Sequence, residues 1–165
     1  MTRAPSAIYG PGPKGPETYR YLLSWPTGLD NDRRALGIFA NPSTATEFKT
    51  DPTVAKWVRY CRAWRYGWAD VCNVRAWRET DPRRVPKDDA IAEGPENVRW
   101  MTKAIDRAEI VVCGWGNLGG ELGNEVAYWL SSIADGKLFT LGLNKNCSPK
   151  HPLYLRGDAT PRRWF

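Results

Sequence analysis

The sequence contains few of the residues that metal and disulfide sites need. Its 165 residues include one histidine, His151, and four cysteines, and no two cysteines form a C-x-x-C pair. This spacing argues against an iron–sulfur cluster, a structural zinc site and a secreted disulfide framework, and the single histidine excludes a histidine-rich metal site. We therefore expect free, buried thiols, no metal and no cofactor.

Long apolar segments and internal repeats are also missing. No apolar run is long enough to cross a bilayer, and the first residues lack the apolar centre of a signal peptide. We therefore expect a cytoplasmic protein that has no membrane partner and works as a monomer.

The length and charge of the chain indicate one domain and a polyanionic partner. Aromatic and aliphatic residues are spread along most of the chain, which suits a single hydrophobic core. Residues 1–17 contain so many Pro and Gly that we expect a flexible arm, followed by a single domain over residues 18–165. The formal net charge of +6 favours a polyanion, although charge alone predicts only non-specific attraction.

The hydrophobic pattern after the arm alternates between strand and helix. Apolar runs predict strands at residues 19–25, 34–40, 70–77, 109–116 and 137–143. Apolar residues at helical spacing predict helices at residues 53–64, 95–108 and 122–133, and Asp51 and Pro52 are suited to begin the first of them. We therefore expect an α/β protein with three layers, α/β/α, around a mostly parallel central sheet of about four strands.

Polar residues stand where several of these strands end. Asn41 precedes Pro42, Asn73 lies within the third strand, Trp115-Gly116 ends the fourth, and Asn144 follows the last. The carboxyl ends of parallel strands meet at one edge of a sheet, where ligands bind. An amide offers both a donor and an acceptor, which suits the polar edge of a nucleobase. Structural roles are the alternative, since Asn41 could cap a turn and Asn73 could satisfy a loop amide.

A glycine-rich segment suggests a different kind of ligand. Residues 114–119 fit the pattern G-x-G-x-x-G between a strand and a helix, as a dinucleotide site requires. The next strand ends in Asn144-Lys145, however, where that site needs an acidic residue for the ribose. Close packing of the helix on its strand is the simpler interpretation, and a phosphate at the helix start is the alternative.

Four short motifs are spread along the chain after the arm. They are Asn41-Pro42-Ser43-Thr44-Ala45, Asp51-Pro52-Thr53, Gly94-Pro95-Glu96-Asn97 and Lys150-His151-Pro152-Leu153-Tyr154-Leu155. These motifs resemble those of a family of bacterial and phage proteins, the domain-of-unknown-function family 1643. The resemblance covers nearly the whole chain after the arm and implies no activity.

The order of motifs is also similar to that of the uracil-DNA glycosylase superfamily. That resemblance implies that Asn41 positions a water, Asn73 reads the base, and His151-Pro152 begins a loop whose Leu155 wedges into DNA. The apolar strand that ends in Trp115-Gly116 fits the same scheme. Asn41 stands where many members have Asp, and because a neutral amide accepts no proton, it can orient a water without acting as a general base.

This resemblance implies a mechanism in which the target nucleotide rotates out of the duplex. His151 would donate to a carbonyl oxygen as negative charge grows on the departing base. Pro42, Ser43 and Phe48 would line the pocket, with Phe48 or a tryptophan stacked on the base. Basic side chains would follow the DNA backbone, and a solvated surface is the alternative explanation for them. The candidates are Arg75, Arg78, Lys145 and Lys150, together with Arg59, Arg62 and Arg65.

Three functions follow from these observations. The first is a glycosylase-like enzyme that hydrolyses the N-glycosidic bond of an unusual or modified base in DNA, or otherwise processes that base. The second is a non-catalytic module that binds a modified base or a nucleotide, which the missing Asp supports. The third is a nucleotide-cofactor enzyme that uses the loop from Gly114 to Gly119.

Overall fold

The computed structural model describes residues 3–118, 121–134 and 136–165. Within these residues, the strands are β1 (Ser6–Gly12), β2 (Gly15–Pro26), β3 (Arg34–Phe39), β4 (Trp68–Asn73), β5 (Ile110–Cys113), β6 (Leu138–Thr140) and β7 (Arg162–Arg163). The α-helices are α1 (Pro52–Ala63), α2 (Asp89–Glu93), α3 (Asn97–Arg107) and α4 (Leu122–Ile133), and single 3-10 turns lie at Pro82–Arg84 and Pro152–Tyr154.

The strands form one mixed sheet in the order β1-β2-β4-β3-β5-β6-β7. The pairs β3–β4, β3–β5 and β5–β6 are parallel, whereas β1–β2, β2–β4 and β6–β7 are antiparallel. The α/β class is confirmed, but the expected mostly parallel sheet of about four strands is wrong. Seven described strands take part, because a hairpin extends one side of the sheet and a short strand closes the other.

Helices cover both faces of the sheet because successive strand residues point in opposite directions. Val71 packs on one face in a cluster with Trp57 of α1, and Cys72 packs on the other with Ala104 of α3 and Leu130 of α4. Helix α1 begins as expected, since the Asp51 carboxylate accepts the backbone N–H of Val54 at 2.8 Å. The middle of the helix is fixed to the sheet by Trp57, whose Nε1 donates to the Asp70 carbonyl at 2.9 Å.

The predicted flexible arm at residues 1–17 is instead largely ordered. Most of it forms β1 and the beginning of β2, and the two strands pair from Ser6–Ser24 to Gly12–Gly15. The sequence tolerates this arrangement because β1 is an edge strand, where proline need not donate to a neighbour. Gly15, at φ 107°, adopts the left-handed conformation that the hairpin turn requires.

The cysteines only partly match the expectation of buried thiols. Cys61, Cys72 and Cys113 are buried and free, but Cys147 is free and exposed, because it lies in the loop after β6 and not in a strand. Among the described residues, no group of three or more metal-ligating side chains is placed to hold an ion. None of the helices in the described ranges combines the length and the apolar character needed to cross a membrane.

Candidate functional site

The carboxyl ends of the parallel strands bring four loops together at one edge of the sheet, called the carboxyl edge below. The strands β3, β4, β5 and β6 all end at this edge, and the following loops begin there. Two backbone hydrogen bonds hold the loop starts in place: Val74 N donates to Phe39 O at 2.8 Å, and Gly114 N donates to Ile38 O at 2.9 Å. The geometry therefore places Asn41, Asn73, Gly116 and their loops on the same side of the molecule.

A buried arginine lies beneath this edge. Arg20 of β2 is 2% exposed, and its Nη1 donates to Ala45 O at 2.8 Å. Its Nη2 donates to Asn73 Oδ1 at 3.2 Å, and its Nε has no partner within the described chain. Burial lowers the pKa of Arg20 to about 10, and the negative charge of Asp51 acts in the opposite direction. The site thus contains a buried cation whose direct partners are neutral oxygens.

Arg20 determines which way the Asn73 amide points. Because the guanidinium can only donate, the amide oxygen of Asn73 must face it, and the Asn73 NH2 group faces away. The backbone carbonyl of Asn73 accepts from Asn97 Nδ2 at 2.8 Å, which fixes the residue from another side. Asn73 is only 2% exposed, and its Nδ2 has no hydrogen-bond partner in the described part of the chain.

His151 presents a second donor. Its Nδ1 accepts the backbone N–H of Leu153 at 3.2 Å, so in the neutral ring Nε2 carries the proton. The imidazole lies between the rings of Phe39 and Tyr154, at centroid distances of 5.8 and 5.7 Å. Burial lowers the pKa of His151 below its ordinary value, and the charge of Asp51 opposes that shift. At neutral pH the residue is therefore an uncharged hydrogen-bond donor.

Asp51 is the carboxylate of the site, and sequence reasoning assigned it only a capping role. Its charge raises the pKa of both Arg20 and His151, opposing the effect of burial, and Asp51 and Arg20 both bind the backbone of Ala45. One carboxylate oxygen accepts from Val54 N at 2.8 Å and the other from Ala45 N at 3.3 Å. These two bonds leave further lone pairs on each oxygen. Its presence in the motif Asp51-Pro52-Thr53 was the signal that could have identified it.

Asn41 connects two of the loops. Its Nδ2 donates to Glu79 O at 2.7 Å and to Pro42 O at 3.2 Å, and Glu79 N donates back to Pro42 O at 2.9 Å. The NH2 group therefore has a structural role, as the turn interpretation proposed. The amide oxygen is the part of Asn41 that can still accept a hydrogen bond from a water or a ligand.

Among the predicted residues after β5 and β6, Gly116 lies beside His151. A Cβ atom built on Gly116 would lie 3.8 Å from the Cβ of His151, so this glycine is a neighbour of the histidine. Trp115 is buried and packs against Trp164 at 5.6 Å, and both line a cavity of about 200 Å³ that Gly116 also borders. Asn144 donates from Nδ2 to Ser148 Oγ at 3.0 Å and thereby fixes its own loop.

The first two glycines of the glycine-rich segment do not present free amides to a phosphate. The N–H of Gly114 donates to Ile38 O, and that of Gly116 donates to Pro149 O at 2.8 Å. Helix α4 begins beside Glu121 and carries Glu125 in its first turn, and both carboxylates repel an anion. Gly119, the last glycine of the pattern, lies outside the described residues.

The predicted pocket-lining and wedge side chains differ in their exposure. Ser43 lines an open groove of about 640 Å³ together with Lys14, Arg78 and Glu79, and Pro42 beside it is buried. Phe48 is 87% exposed and free to stack on a ligand. Leu155, the predicted wedge, is half-buried against the α1 cluster, whereas Tyr154 is 84% exposed. The side chain that projects from this loop is therefore Tyr154.

The predicted phosphate contacts divide into paired and unpaired cations. Arg75 binds Asp89 at 2.9 Å, and Arg78 binds Glu17 at 3.0 Å, so nearby carboxylates offset both charges. Lys145 and Lys150 are exposed in the loop after β6. Arg59, Arg62 and Arg65 lie at the far end of α1, away from the carboxyl edge.

The fold and the site define the chain as a mixed α/β protein with a polar, partly buried site at the carboxyl edge of its parallel strands. The chain belongs to the family described as "Protein of unknown function (DUF1643)", which matches residues 20–153. No curated protein and no solved structure matches the chain. The resemblance to uracil-DNA glycosylases therefore stays a prediction.

Proposed function

We propose that the protein is a nucleobase-processing enzyme that hydrolyses the N-glycosidic bond of an unusual or modified base in DNA. The observation that carries this proposal is a pair of neutral donors at the carboxyl edge, Asn73 Nδ2 and His151 Nε2. A buried guanidinium orients the first, and a backbone N–H selects the tautomer of the second. Two neutral donors fit the carbonyl oxygens of a base better than a phosphate, which a cation would bind more strongly.

The proposed reaction assigns one role to each polar group. Asn41 Oδ1 holds a water near the anomeric carbon, and the water oxygen bonds to that carbon as the bond to the base nitrogen breaks. The electron pair of that bond moves to the base, where His151 Nε2–H stabilises the growing negative charge. Asp51, a carboxylate in the same loop as Asn41, accepts the proton that the water loses. It thereby supplies the basic group that Asn41 lacks.

Base release tests this proposal directly. Single- and double-stranded DNA panels carrying uracil, hydroxymethyluracil, mismatched thymine and hypermodified pyrimidines are incubated with the protein, and free base is measured by mass spectrometry. We expect release from at least one panel member, and a loss of about 100-fold or more in His151→Ala and in Asp51→Asn, since each removes a group that acts in the transition state.

A matched control separates the site from general damage to the fold. Asn31 lies at the opposite edge, where its Oδ1 accepts the backbone N–H groups of Arg33 and Gly67 at 3.0 and 2.9 Å. Asn31 Nδ2 also donates to Arg65 O at 3.4 Å, so Asn31→Ala removes three side-chain hydrogen bonds, one more than Asn41→Ala, but should leave base release intact. Equal losses in the two asparagine variants would contradict a role for Asn41 in the reaction.

A non-catalytic base-binding module is the second candidate. The observation that favours it is the structural use of the Asn41 NH2 group, which holds the loops together whether or not a reaction occurs. On this alternative the wild-type protein retains one DNA of the panel without releasing its base, and Asn73→Ala abolishes that retention.

A further inference from the structure

The outer surface of α1 carries positive charge without any acidic residue. The helix contains Lys56, Arg59 and Arg62, and Arg65 follows directly after its end. The three arginines line an open concave surface of about 470 Å³ together with Leu29 and Ala63. Arg59, Arg62 and Arg65 are exposed. We call these three arginines and Lys56 the α1 basic surface.

These arginines differ from the basic residues near the carboxyl edge in their ion pairing. No carboxylate of the described chain forms an ion pair with Arg59, Arg62 or Arg65, whereas Arg75 and Arg78 each have one. Arg62 Nη1 donates to Thr27 O at 2.7 Å, so part of its role is structural. Arg59 and Arg65 thus keep their charge available to a ligand. The two arginines predicted to follow phosphates at the edge are therefore ion-paired, and the arginines of the α1 basic surface are not.

The α1 basic surface is continuous with the candidate site. Lys56 Nζ donates to Leu153 O at 3.0 Å and to Leu155 O, which are in the loop that begins with His151. Asp51 caps the amino end of the same helix, beside the site, so the positive charges extend from the site toward the carboxyl end of α1. At a rise of about 1.5 Å per residue, Arg62 lies about 16 Å from Asp51 along the axis. A chain of phosphates could therefore contact both regions.

We propose that the α1 basic surface binds the phosphodiester backbone of a nucleic acid whose target base enters the carboxyl edge. A polyanion with regularly spaced charges suits several unpaired arginines along one helix better than a single small anion does. The proposed function supplies the identity of this partner, so the inference rests on it in that respect. The exposed arginines without ion pairs are observed independently of that function, and they predict salt-dependent binding of a polyanion whether or not the protein releases a base.

The experiment measures the salt dependence of DNA binding for two matched double variants. Arg59→Gln with Arg65→Gln removes two charges from the α1 basic surface, and Arg99→Gln with Lys103→Gln removes two from α3 on the opposite face of the sheet. Fluorescence anisotropy with short single- and double-stranded oligonucleotides gives affinity between about 50 and 200 mM salt. We expect the α1 pair to weaken binding at least tenfold and to lower the slope of log K against log salt by about 2, with the α3 pair unchanged.

Each other outcome overturns a defined part of the proposal. Equal losses in both double variants would mean general attraction by net charge and would exclude a dedicated surface. Binding of the protein to vesicles containing phosphatidylserine, in preference to DNA and with the same α1 dependence, would assign the surface to a membrane instead. If the slopes differ as expected but no base is released, the result supports phosphate binding by the α1 basic surface and contradicts the proposed hydrolysis. If base is released but the slopes are unchanged, the result supports the proposed hydrolysis and contradicts phosphate binding by the α1 basic surface.

Discussion

His151 is the only histidine in the chain, so its protonation can be followed without overlap. We expect its ring signals to titrate below the ordinary value of 6.5, because burial disfavours the charged imidazolium. As the pH falls, the unfolded state then takes up the proton before the folded state does. The stability associated with neutral His151 is therefore complete above the unfolded-state pKa of 6.5 and is lost as the pH falls from there through the lower pKa of the folded state. Ring 15N shifts and proton titration by NMR measure both the pKa and the Nε2–H tautomer.

Asp51→Asn provides the matching variant for this titration. Asparagine also caps helices well, so α1 should remain intact. Removal of the negative charge that opposes the burial effect should lower the pKa of His151 further. Asp106→Asn, in an exposed position of α3, removes the same charge elsewhere and should leave the titration unchanged. A His151 pKa at or above the ordinary value, or an Nδ1–H tautomer, would contradict the neutral-donor assignment.

The sequence revealed the site residues that stand at strand ends or in motifs, and it missed a buried arginine within a strand. Asn41 and Asn73 were identifiable as amides beside apolar runs, and His151 as part of the motif with Pro152. Arg20 could not be identified, since an arginine within YRYLLSW is equally compatible with the solvent face of an edge strand. Its burial becomes clear only when β4 and the loop at Ala45 cover it. Long-range contacts of this kind leave no local pattern.

At the scale of elements, β1 gives a direct test of the ordered N-terminal hairpin. A Cβ atom on Gly10 would lie 2.4 Å from Tyr21 Cε2, because the Tyr21 ring packs across the glycine. We expect Gly10→Ala to reduce the free energy of unfolding by about 1–3 kcal/mol, the range for overpacking a close contact. Urea denaturation followed by far-UV circular dichroism measures the change. Gly157→Ala, which meets nothing within 4 Å, should change stability by less than about 0.5 kcal/mol. A flexible arm would make both variants neutral.

The elements that the sequence predicted well are those with a strong period and a clear beginning. Helix α4 has the predicted bounds, 122–133, and α1 begins at the predicted Asp51–Pro52 cap. Strand β1 was missed because its Gly and Pro residues are typical of loops, and only its edge position makes them acceptable. The short helix α2 was missed because five residues are too few for a period to emerge.

At the scale of the whole molecule, one buried carboxylate connects the amino ends of the central strands to the helical layer. Asp70 of β4 is 0% exposed in its side chain and accepts from Arg34 of β3 at 2.9 Å and from Arg107 of α3 at 3.0 Å. Arg107 also donates to Ser24 Oγ of β2 at 3.2 Å. Three neighbouring strands and a helix therefore meet at a single charge, at the edge opposite the candidate site.

Loss of that charge should affect the entire fold. Asp70→Asn leaves two arginines without their negative partner, and we expect a loss of about 3 kcal/mol, the lower end of the range for breaking a buried ion pair because both arginines remain partly exposed. Glu109→Gln breaks the exposed pair with Arg33 at the same edge and should cost less than about 1 kcal/mol. Urea unfolding followed by both tryptophan fluorescence and circular dichroism should give coincident transitions, because Asp70 joins β2 and β3 to the helix that covers them. Separate transitions would instead mean that the hydrophobic clusters on the two faces of the sheet unfold independently.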